Sequence, residues 1–283
     1  MNSPTSFSGL PRSGREEVLN WSRAYYARRA SYYDLLAQRI GRDRETPREL
    51  EFLEFAFQTH ATRKVREVLG IACGGGRHLV GLAQRGYRCT GRDLTPERIE
   101  AAKGRAARTR VSVNLEVGEA TKVDYHEAFD AVLGLYILFL LPDDDAVKRC
   151  LNGVRKSLRS GGVFVCNIYN PFTLGKTWVV DAMRNRDSVE EQKAPGIRIT
   201  EVQRTHDYDP VRGVVWVDET TVVEAHDGRH VFRDKGRARL LTYWDVEHYL
   251  KSAGFDEIEC YPDWKVKRVK KPKAEQLVFV VRR

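Results

Sequence analysis

From Val65 onward, short apolar runs alternate with segments of helical hydrophobic period. This alternation predicts β-α-β units, in which parallel strands form a sheet that helices cover on both faces. The apolar runs predict strands at Val65–Ala72, Arg88–Arg92, Ser112–Val117, Phe129–Tyr136 and Gly162–Ile168. The segments between them predict helices at Gly76–Arg85, Pro96–Ala107 and Asp144–Leu158.

Two helical segments precede this core. Residues Glu16–Ile40 predict a helix that is unusually rich in tyrosine. A second helix is predicted to begin at Thr46, because Pro47 suits a first turn and Glu49 completes a T-x-x-E capping box. Residues 1–62 are therefore interpreted as an N-terminal helical region and residues 63–172 as the core.

After Pro171 the pattern changes to β-type runs joined by turn dipeptides. The runs Ile197–Tyr208, Val214–Glu224 and Arg229–Leu240 predict an antiparallel meander, and Asp227-Gly228 is a strong tight-turn signal. Residues 173–241 are therefore predicted to be an inserted subdomain. Residues 242–283 are predicted to return to the core as a helix capped by Thr242 and Asp245, followed by strands Phe255–Tyr261 and Gln276–Val281.

Composition narrows the class of protein. The 283 residues are 42% hydrophobic and 31% charged, which is typical of a globular chain with a substantial core. The longest apolar run, Ala131–Leu141, is too short to cross a membrane. Five scattered cysteines, with no C-x-x-C pair and no histidine at metal-ligand spacing, indicate reduced core residues, a cytoplasmic location and no metal site.

The chain is basic, with 48 Lys and Arg against 39 Asp and Glu and a net charge of +9. Such a surplus is compatible with a nucleic acid, an anionic surface or an acidic small substrate. Basic residues cluster strongly at Lys265–Lys273, which fits either a solvated hairpin face or a nucleic-acid patch.

The segment V-R-E-V-L-G-I-A-C-G-G-G-R-H-L-V (Val65–Val80) predicts a strand, a glycine turn and the start of a helix. A glycine turn lets a ligand lie against bare backbone at the helix N-terminus. A dinucleotide fingerprint would need Gly or Ala at position 79, so Leu79 argues against NAD or FAD.

Several motifs follow in order: C-T-G-R-D-L-T-P-E-R-I, V-G-E-A, F-D-A-V-L and G-G-V-F-V. Together with Val68–Arg77 they resemble a class I S-adenosylmethionine-dependent methyltransferase, over about Val65–Asn170 and again over Thr242–Arg283. The resemblance implies an α/β fold with a Rossmann-like seven-stranded mixed sheet, an antiparallel last strand, an N-terminal helical lid and an inserted antiparallel β meander. It also implies S-adenosyl-L-methionine as the cofactor.

The resemblance assigns cofactor contacts by position. The glycine turn would pack under the methionine and ribose portions, Asp93 would accept the ribose hydroxyls, and Glu119 would lie on the adenine side. The full set of implied cofactor residues is Ala72, Cys73, Gly74, Gly76, Asp93, Leu94, Glu119, Ala120 and Leu135. One departure concerns the acid that commonly ends the first strand, which is Gly70 here. Arg77, His78 or the N-terminal helix would compensate for it.

The N-terminal stretch A-S-Y-Y-D-L-L (Ala30–Leu36) is similar to the lid helix of small-molecule N-methyltransferases, including the glycine and amino-sugar enzymes. By that similarity, residues of this helix would approach the sulfonium, the carboxylate or the substrate: Tyr25, Tyr26, Tyr33 and Arg39. The alternative is that these tyrosines simply pack against the core.

Acceptor-side residues are expected at the carboxyl ends of the strands, where open α/β sheets bind ligands. The candidate catalytic residues are Tyr33, Tyr136, Asn167 and Tyr169, with Asn170 nearby. A general base is optional, because the sulfonium already activates the methyl group; the candidates are His78, His226, His230, Tyr136 and Tyr169.

The expected function is methyl transfer to a small or medium-sized acceptor, more readily at nitrogen than at oxygen or carbon. Two alternatives stay open: an RNA or protein methyltransferase that uses the basic surface, and a non-catalytic regulator that retains the fold, motivated by Gly70. Along Val214–Glu224, Trp216 and Val217 fall on opposite faces. The meander is predicted to wall the acceptor pocket, with Trp216 or neighbouring polar residues selecting the substrate; the alternative is a dimerisation sheet.

Overall fold

A computed structural model describes residues 14–40, 42–172, 188–209, 211–266 and 274–283. The helices are α1 (Arg15–Ile40), α2 (Arg42–His60), α3 (Arg77–Gln84), α4 (Pro96–Thr109), α5 (Asp144–Ser157) and α6 (Tyr243–Ser252). The strands are β1 (Glu67–Ile71), β2 (Arg88–Asp93), β3 (Val113–Val117), β4 (Phe129–Gly134), β5 (Leu158–Tyr169), β6 (Ser188–Ala194), β7 (Ile197–Asp209), β8 (Val214–Ala225), β9 (Gly228–Arg239), β10 (Glu257–Pro262) and β11 (Gln276–Arg282). Most of the basic segment Lys265–Lys273 lies outside the described residues.

Seven strands form the central sheet in the order β10-β11-β5-β4-β1-β2-β3. Strands β1 to β5 are parallel, and β11 runs antiparallel to both β5 and β10. The sheet therefore has the predicted topology, with the last strand inserted antiparallel. The strand order reverses beside β1, where β2 follows on one side and β4 on the other, and such a switch point opens a crevice at the carboxyl ends of the strands.

Two apolar layers cover the sheet. One joins α5 and α6 to the sheet through residues such as Leu151, Leu250 and Phe279, and the other joins α2 and α3 through residues such as Leu53 and Leu82. All five of these side chains are essentially inaccessible to solvent. Because both faces are covered, β4 is buried along its whole length, as parallel central strands usually are. None of the helices in the described part of the chain is long and apolar enough to span a bilayer.

The predicted start of α2 was wrong. The helix begins at Arg42, so Thr46 and Pro47 lie inside it, and Thr46 accepts a hydrogen bond from Arg77 at 2.9 Å instead of capping the helix. Pro47, the sixth residue of α2, has no N–H to pair with the carbonyl four residues earlier, so the first part of this helix lacks one backbone hydrogen bond. The capping box at Thr242 and Asp245 was predicted correctly.

Four strands, not three, make up the second sheet, in the order β6-β7-β8-β9. All neighbours are antiparallel, as predicted for the meander. The additional strand, β6, has the sequence S-V-E-E-Q-K-A, and it pairs with β7 across the turn at Pro195 and Gly196. Its largely polar composition gives no alternation of hydrophobic residues, which is why the sequence pattern did not reveal it.

Helix α1 lies against the second sheet through a buried ionic cluster. The Arg29 side chain, 3% exposed, lies 2.8 Å from a Glu219 carboxylate oxygen and 3.3 Å from Asp234. Arg29 also donates to Thr221 at 3.1 Å, and the Tyr25 hydroxyl donates to Glu219 at 3.0 Å. The face of β8 that carries Glu219 is thus the covered one. Trp216 lies on the other face, with its ring centroid 5.4 Å from the Arg237 guanidinium.

Candidate active site

A cavity of about 430 Å³ opens at the carboxyl ends of the parallel strands, within the range of roughly 300–1,000 Å³ that is typical of small-molecule sites. Ten of the residues predicted from the sequence line it: Ala72, Cys73, Gly74, Asp93, Leu94, Glu119, Ala120, Leu135, Tyr136 and Tyr169. The site is therefore assembled where the sheet switches direction, from the loops that follow β1, β2, β3, β4 and β5.

The turn after β1 and the end of β2 are linked through one carboxylate. Asp93 accepts the Gly74 N–H at 2.8 Å with one oxygen and the Thr95 N–H at 3.0 Å with the other. Gly74 has a φ of 55°, in the left-handed region that favours glycine. Asp93, only 9% exposed, thus fixes the turn and retains lone pairs that face the cavity.

Leu79 explains why position 70 is a glycine. A Cβ added to Gly70 would lie 2.9 Å from a Leu79 methyl carbon, so this position has no room for the acid that the family commonly carries. A Cβ at Gly91 would lie 2.7 Å from Leu79 as well. Leu79 therefore fills the space between β1 and β2, and another residue must supply the hydrogen bond that an acid at position 70 would make.

The predicted cofactor contact of Gly76 was wrong. Gly76 has a φ of 74°, and a Cβ there would lie 2.9 Å from the Ala102 Cβ on α4. The glycine is required for close packing of α3 against α4, and it does not line the cavity. Gly75, one residue earlier, lines it instead.

Glu119 is held by a residue that the sequence did not single out. Arg15, at the start of α1, donates to a Glu119 oxygen at 2.6 Å, and Lys122 lies 3.1 Å from the other oxygen. Burial alone would raise the pKa of Glu119, but the hydrogen bonds from Thr121, Arg15 and Lys122 outweigh burial and lower the pKa to about 2. Glu119, which the resemblance assigns to the adenine side, is therefore ionised and tied to the N-terminal helix.

Helix α1 contributes to the cavity wall, as predicted for a lid. Leu19, Ser22 and Tyr26 line the cavity. The Tyr26 ring centroid lies 5.8 Å from the Arg98 guanidinium, a cation–π distance. Tyr25 points the other way, toward Glu219. The side chains of Tyr33 and Arg39 lie outside the described part of the structure.

Tyr136 follows β4 in a left-handed conformation, with a φ of 58°. Its backbone N–H donates to the Asn167 Oδ1 at 2.9 Å, and its ring centroid lies 5.8 Å from that of Tyr169. Phe139, whose ring centroid is 5.4 Å from that of Tyr169, extends this aromatic wall. The prediction that Asn167 contacts the acceptor was wrong, because its side chain is fully buried behind Tyr136 and holds the Tyr136 backbone in place.

Beneath the aromatic wall lies Glu49, an acid from α2 that is completely buried. Its Oε2 forms an ion pair with Arg77 and lies 2.8 Å from His78 Nε2, while the Tyr136 hydroxyl is 3.4 Å from its Oε1. Burial would raise the pKa of Glu49, but hydrogen bonding and charge from His78 and Arg77 outweigh it and lower the pKa to about 2. Arg77 and His78 line the cavity, so Glu49 fixes two cationic or polar groups there.

The second sheet supports the cavity without lining it. None of its described residues, including Trp216, His226 and His230, belongs to the cavity wall. Arg237 on β9 instead donates to the Pro142 carbonyl at 2.7 Å, and Pro142 does line the cavity. Trp216, predicted to face the acceptor, is therefore not part of the cavity wall; it lies on the same face of the sheet as Arg237, its partner across β8 and β9. The described residues hold no cluster of three or more metal-ligating side chains.

The residues present fit S-adenosylmethionine. The glycine turn exposes backbone at the N-terminus of α3, Asp93 offers carboxylate lone pairs that would suit a ribose diol, and Glu119 offers an ionised carboxylate that would suit an adenine amino group. Arg77, anchored by Glu49, supplies a guanidinium near the Gly70 end of the turn. A guanidinium suits the carboxylate of a bound amino acid portion.

Comparisons with known proteins agree with this geometry. Residues 68–162 match the family described as a methyltransferase domain. A curated ubiquinone biosynthesis O-methyltransferase from Paramagnetospirillum magneticum is 31% identical over 113 residues, which cover 40% of this chain and 43% of that relative. The chain therefore matches less than half of the length of this relative.

Two solved structures extend the likeness beyond the core. An S-adenosylmethionine-dependent methyltransferase from Clostridium acetobutylicum aligns with a TM-score of 0.71 at 18% identity, covering 91% of this chain and 98% of that one. An amino pentose methyltransferase from Micromonospora echinaspora aligns with a TM-score of 0.65 at 20% identity, covering 86% and 94%. Residues 68–162 thus match a methyltransferase domain, and the fold is the one found in S-adenosylmethionine-dependent methyltransferases, in agreement with the resemblance of the motifs.

Proposed function

We propose that this protein transfers the methyl group of S-adenosylmethionine to a nitrogen atom of a small or medium-sized acceptor. The observation that carries the proposal is the convergence of the glycine turn, Asp93 and Glu119 on one cavity whose other wall is aromatic. The first three elements suit the cofactor. The aromatic wall suits the acceptor.

The bound sulfonium would supply an already activated methyl group, so the protein's task is alignment and exclusion of water. Leu19 and Tyr26 of α1 cover the cavity from one side. Tyr136, Phe139 and Tyr169 enclose the cavity from another side. The ring centroid of Tyr169 lies 5.8 Å from that of Tyr136 and 5.4 Å from that of Phe139. Aromatic faces attract cationic groups, including a sulfonium and a methylated amine.

Two features favour nitrogen over oxygen as the methylated atom. An alcohol or phenol needs a base to remove its proton, and Glu49, the buried carboxylate nearest Tyr136, is already engaged by Arg77 and His78. An amine needs no such base once it enters in its neutral form. The named relatives include both classes, an O-methyltransferase and an amino pentose methyltransferase. Oxygen therefore stands as the second candidate.

A direct test is to incubate the purified protein with S-adenosylmethionine carrying a labelled methyl group and a panel of amines, phenols and RNAs. Label transfer to amines, with little transfer to phenols, would support the proposal. Transfer confined to phenols or RNA would contradict it. If the protein neither retains nor binds S-adenosylmethionine or S-adenosylhomocysteine in calorimetry, the non-catalytic alternative replaces it.

Asp93→Ala is expected to weaken binding of S-adenosylmethionine by about 1.5–3 kcal/mol, because a charge-assisted hydrogen bond to the ribose is lost. This corresponds to a dissociation constant raised roughly 10- to 150-fold. Isothermal titration calorimetry with S-adenosylhomocysteine measures the effect directly.

Asp93 also holds the turn, so a second variant separates the two roles. Asp93→Asn retains an oxygen that can accept the Gly74 or Thr95 N–H, yet it lacks the charge. Its affinity should fall between wild type and Asp93→Ala. Asp124→Ala, an exposed acid away from the cavity, is the matched control and should bind like wild type. Unchanged affinity in Asp93→Ala would remove Asp93 from the cofactor site.

A further inference from the structure

Gln276, the first residue of β11, lines the cavity beside Tyr136 and Tyr169 although no motif pointed to it. Contacts on both edges of β11 fix the Gln276 backbone. The Gln276 N–H donates to Asp263 Oδ1 at 3.0 Å, the Asp263 N–H donates to the Gln276 carbonyl at 3.1 Å, and β11 pairs Gln276 with Tyr169 on β5. The side chain therefore starts from a rigid position in the sheet.

Three donors converge on the side-chain oxygen of Gln276. The Trp264 indole N–H donates to Oε1 at 2.9 Å, the Tyr136 hydroxyl donates at 3.0 Å, and Asn167 Nδ2 donates at 3.1 Å. An indole N–H can only donate, so the atom that faces Trp264 must be the oxygen of the amide. The orientation of the Gln276 amide is thus set by chemistry.

The orientation of Asn167 is fixed by the same reasoning. Its Oδ1 accepts the backbone N–H of Tyr136 at 2.9 Å, and a backbone N–H can only donate. Asn167 must therefore present its NH₂ group to Gln276. Both Asn167 and Trp264 are buried, at 0% and 2% exposed, so neither donor is free to turn to water.

This arrangement engages the oxygen of the Gln276 amide but not its NH₂ group. Its Nε2 makes no hydrogen bond with the residues that the structure describes, and it is not among their buried side-chain atoms that lack a partner, so it is accessible from outside the protein. A half-buried side chain that lines the cavity with its oxygen occupied presents its two remaining N–H donors to that cavity. Such donors bind an oxygen that accepts hydrogen bonds, and they do not bind a methylene group.

We propose that Gln276 is a specificity residue of the acceptor site, whose amide N–H donates to an ether, hydroxyl or carbonyl oxygen of the amine acceptor. This inference rests on the proposed function, because it concerns the acceptor of the same reaction. The acceptor class it selects is an amine with an oxygen close to the nucleophilic nitrogen. Asn167 and Trp264 act as positioning residues for Gln276.

The test compares cyclohexylamine with two ring amines in which an oxygen atom replaces one ring methylene. In 3- and 4-aminotetrahydropyran an ether oxygen replaces one ring methylene of cyclohexylamine, and an ether oxygen can only accept. Binding of each amine is measured by calorimetry on protein saturated with S-adenosylhomocysteine. Wild type should bind at least one aminotetrahydropyran about five- to tenfold more tightly than cyclohexylamine, as one added hydrogen bond predicts.

Two variants assign this preference to Gln276. Gln276→Glu retains an acceptor oxygen for Trp264, Tyr136 and Asn167 but loses the donor, so the preference for the ether should fall to unity or reverse. Gln276→Met should also abolish it, and Gln58→Met, on the exposed face of α2, should keep it. If Gln276→Met fails to fold, Gln276→Glu decides, since it preserves the buried hydrogen bonds.

Two results would overturn the inference. The first is equal binding of the ether and hydrocarbon amines to wild type, or binding of neither. The second is an unchanged preference in Gln276→Glu. Failure of the proposed function is distinguishable, because wild type would then not bind S-adenosylhomocysteine or would transfer the labelled methyl group only to phenols or RNA. Retained cofactor binding without discrimination between the amines overturns only the role of Gln276.

Discussion

Glu219→Ala is expected to lower the free energy of unfolding by about 3 kcal/mol, at the lower end of the range for breaking a buried ion pair. The Arg29 side chain is 3% exposed, so removal of Glu219 takes away the carboxylate at 2.8 Å from a buried guanidinium, and Asp234 at 3.3 Å is the other carboxylate that the described residues place beside it. The Tyr25 hydroxyl loses its acceptor at the same time. Urea unfolding followed by circular dichroism measures the change.

Glu224→Ala is the matched control for this prediction. Glu224 lies on the same strand, its side chain is 47% exposed, and its partner Arg198 is 3.7 Å away. Exposed pairs of this kind contribute little, so the free energy of unfolding should change by less than about 1 kcal/mol. A decrease in Glu219→Ala no larger than in Glu224→Ala would show that the ionic cluster does not stabilise the packing of α1 on the second sheet.

The parallel core could be predicted from the sequence because its determinants are local. Each strand is a short apolar run that is buried on both faces, and each helix between strands carries its own start or stop signal. For example, Asp143 caps α5 by accepting the Ala146 N–H at 2.7 Å. Helix α4 begins at Pro96 after Thr95, although the Thr95 side chain makes no capping hydrogen bond. The strand boundaries differ by up to four residues: β5 begins at Leu158, four residues before the predicted Gly162, whereas β1 and β4 are shorter than predicted.

The cofactor half of the site could be predicted for a related reason. Its residues follow the strands directly, so a motif in sequence is also a cluster in space. Gly76 is the exception, since the same glycine pattern serves helix packing against Ala102. Glycines required for packing and glycines required for a ligand look alike in a sequence.

Sequence analysis names Tyr136 and Tyr169 for the proposed acceptor side, but Glu49 and Gln276 could not be predicted, because their placement depends on tertiary packing. Glu49 comes from α2 and Gln276 from the last strand, and the two meet at the Tyr136 hydroxyl, 3.4 Å and 3.0 Å away. Neither lies in a motif, and a buried Glu or a Gln at a strand start has no signature of its own. Only the packing of α2 and β11 around β4 brings these residues together.

Which face of the second sheet α1 covers also depends on tertiary contacts. Alternation along β8 correctly separates Trp216 from Glu219, yet it does not tell which face is covered. The large aromatic residue suggested that Trp216 pointed inward. The covered face instead carries Glu219 and Thr221, because Arg29 on α1 provides a charged partner for them. A buried acid was possible only with that partner.

Acidification is expected to remove the contribution of Glu49 to stability. The pKa of Glu49 is about 2 in the folded protein, compared with 4.5 for an unperturbed glutamic acid. A carboxyl with a depressed folded pKa stabilises the fold fully above its unfolded pKa, and this contribution is lost as the pH falls from about 4.5 toward about 2. The shift corresponds to about 3 kcal/mol at neutral pH.

The measurement is the difference in unfolding free energy between wild type and Glu49→Gln, from urea titrations at a series of pH values between neutrality and the acid limit of folding. Because the other carboxyls titrate in both proteins, their contributions cancel in the difference. The variant should be less stable by about 3 kcal/mol near pH 7, and the difference should narrow steadily below about pH 4.5.

Glu51→Gln, exposed on the same helix, is the control and should stay within about 0.5 kcal/mol of wild type throughout. A gap for Glu49→Gln that is independent of pH would mean that the decrease in stability comes from packing around the side chain, and that its ionised carboxylate does not hold Arg77 and His78 in the cavity wall.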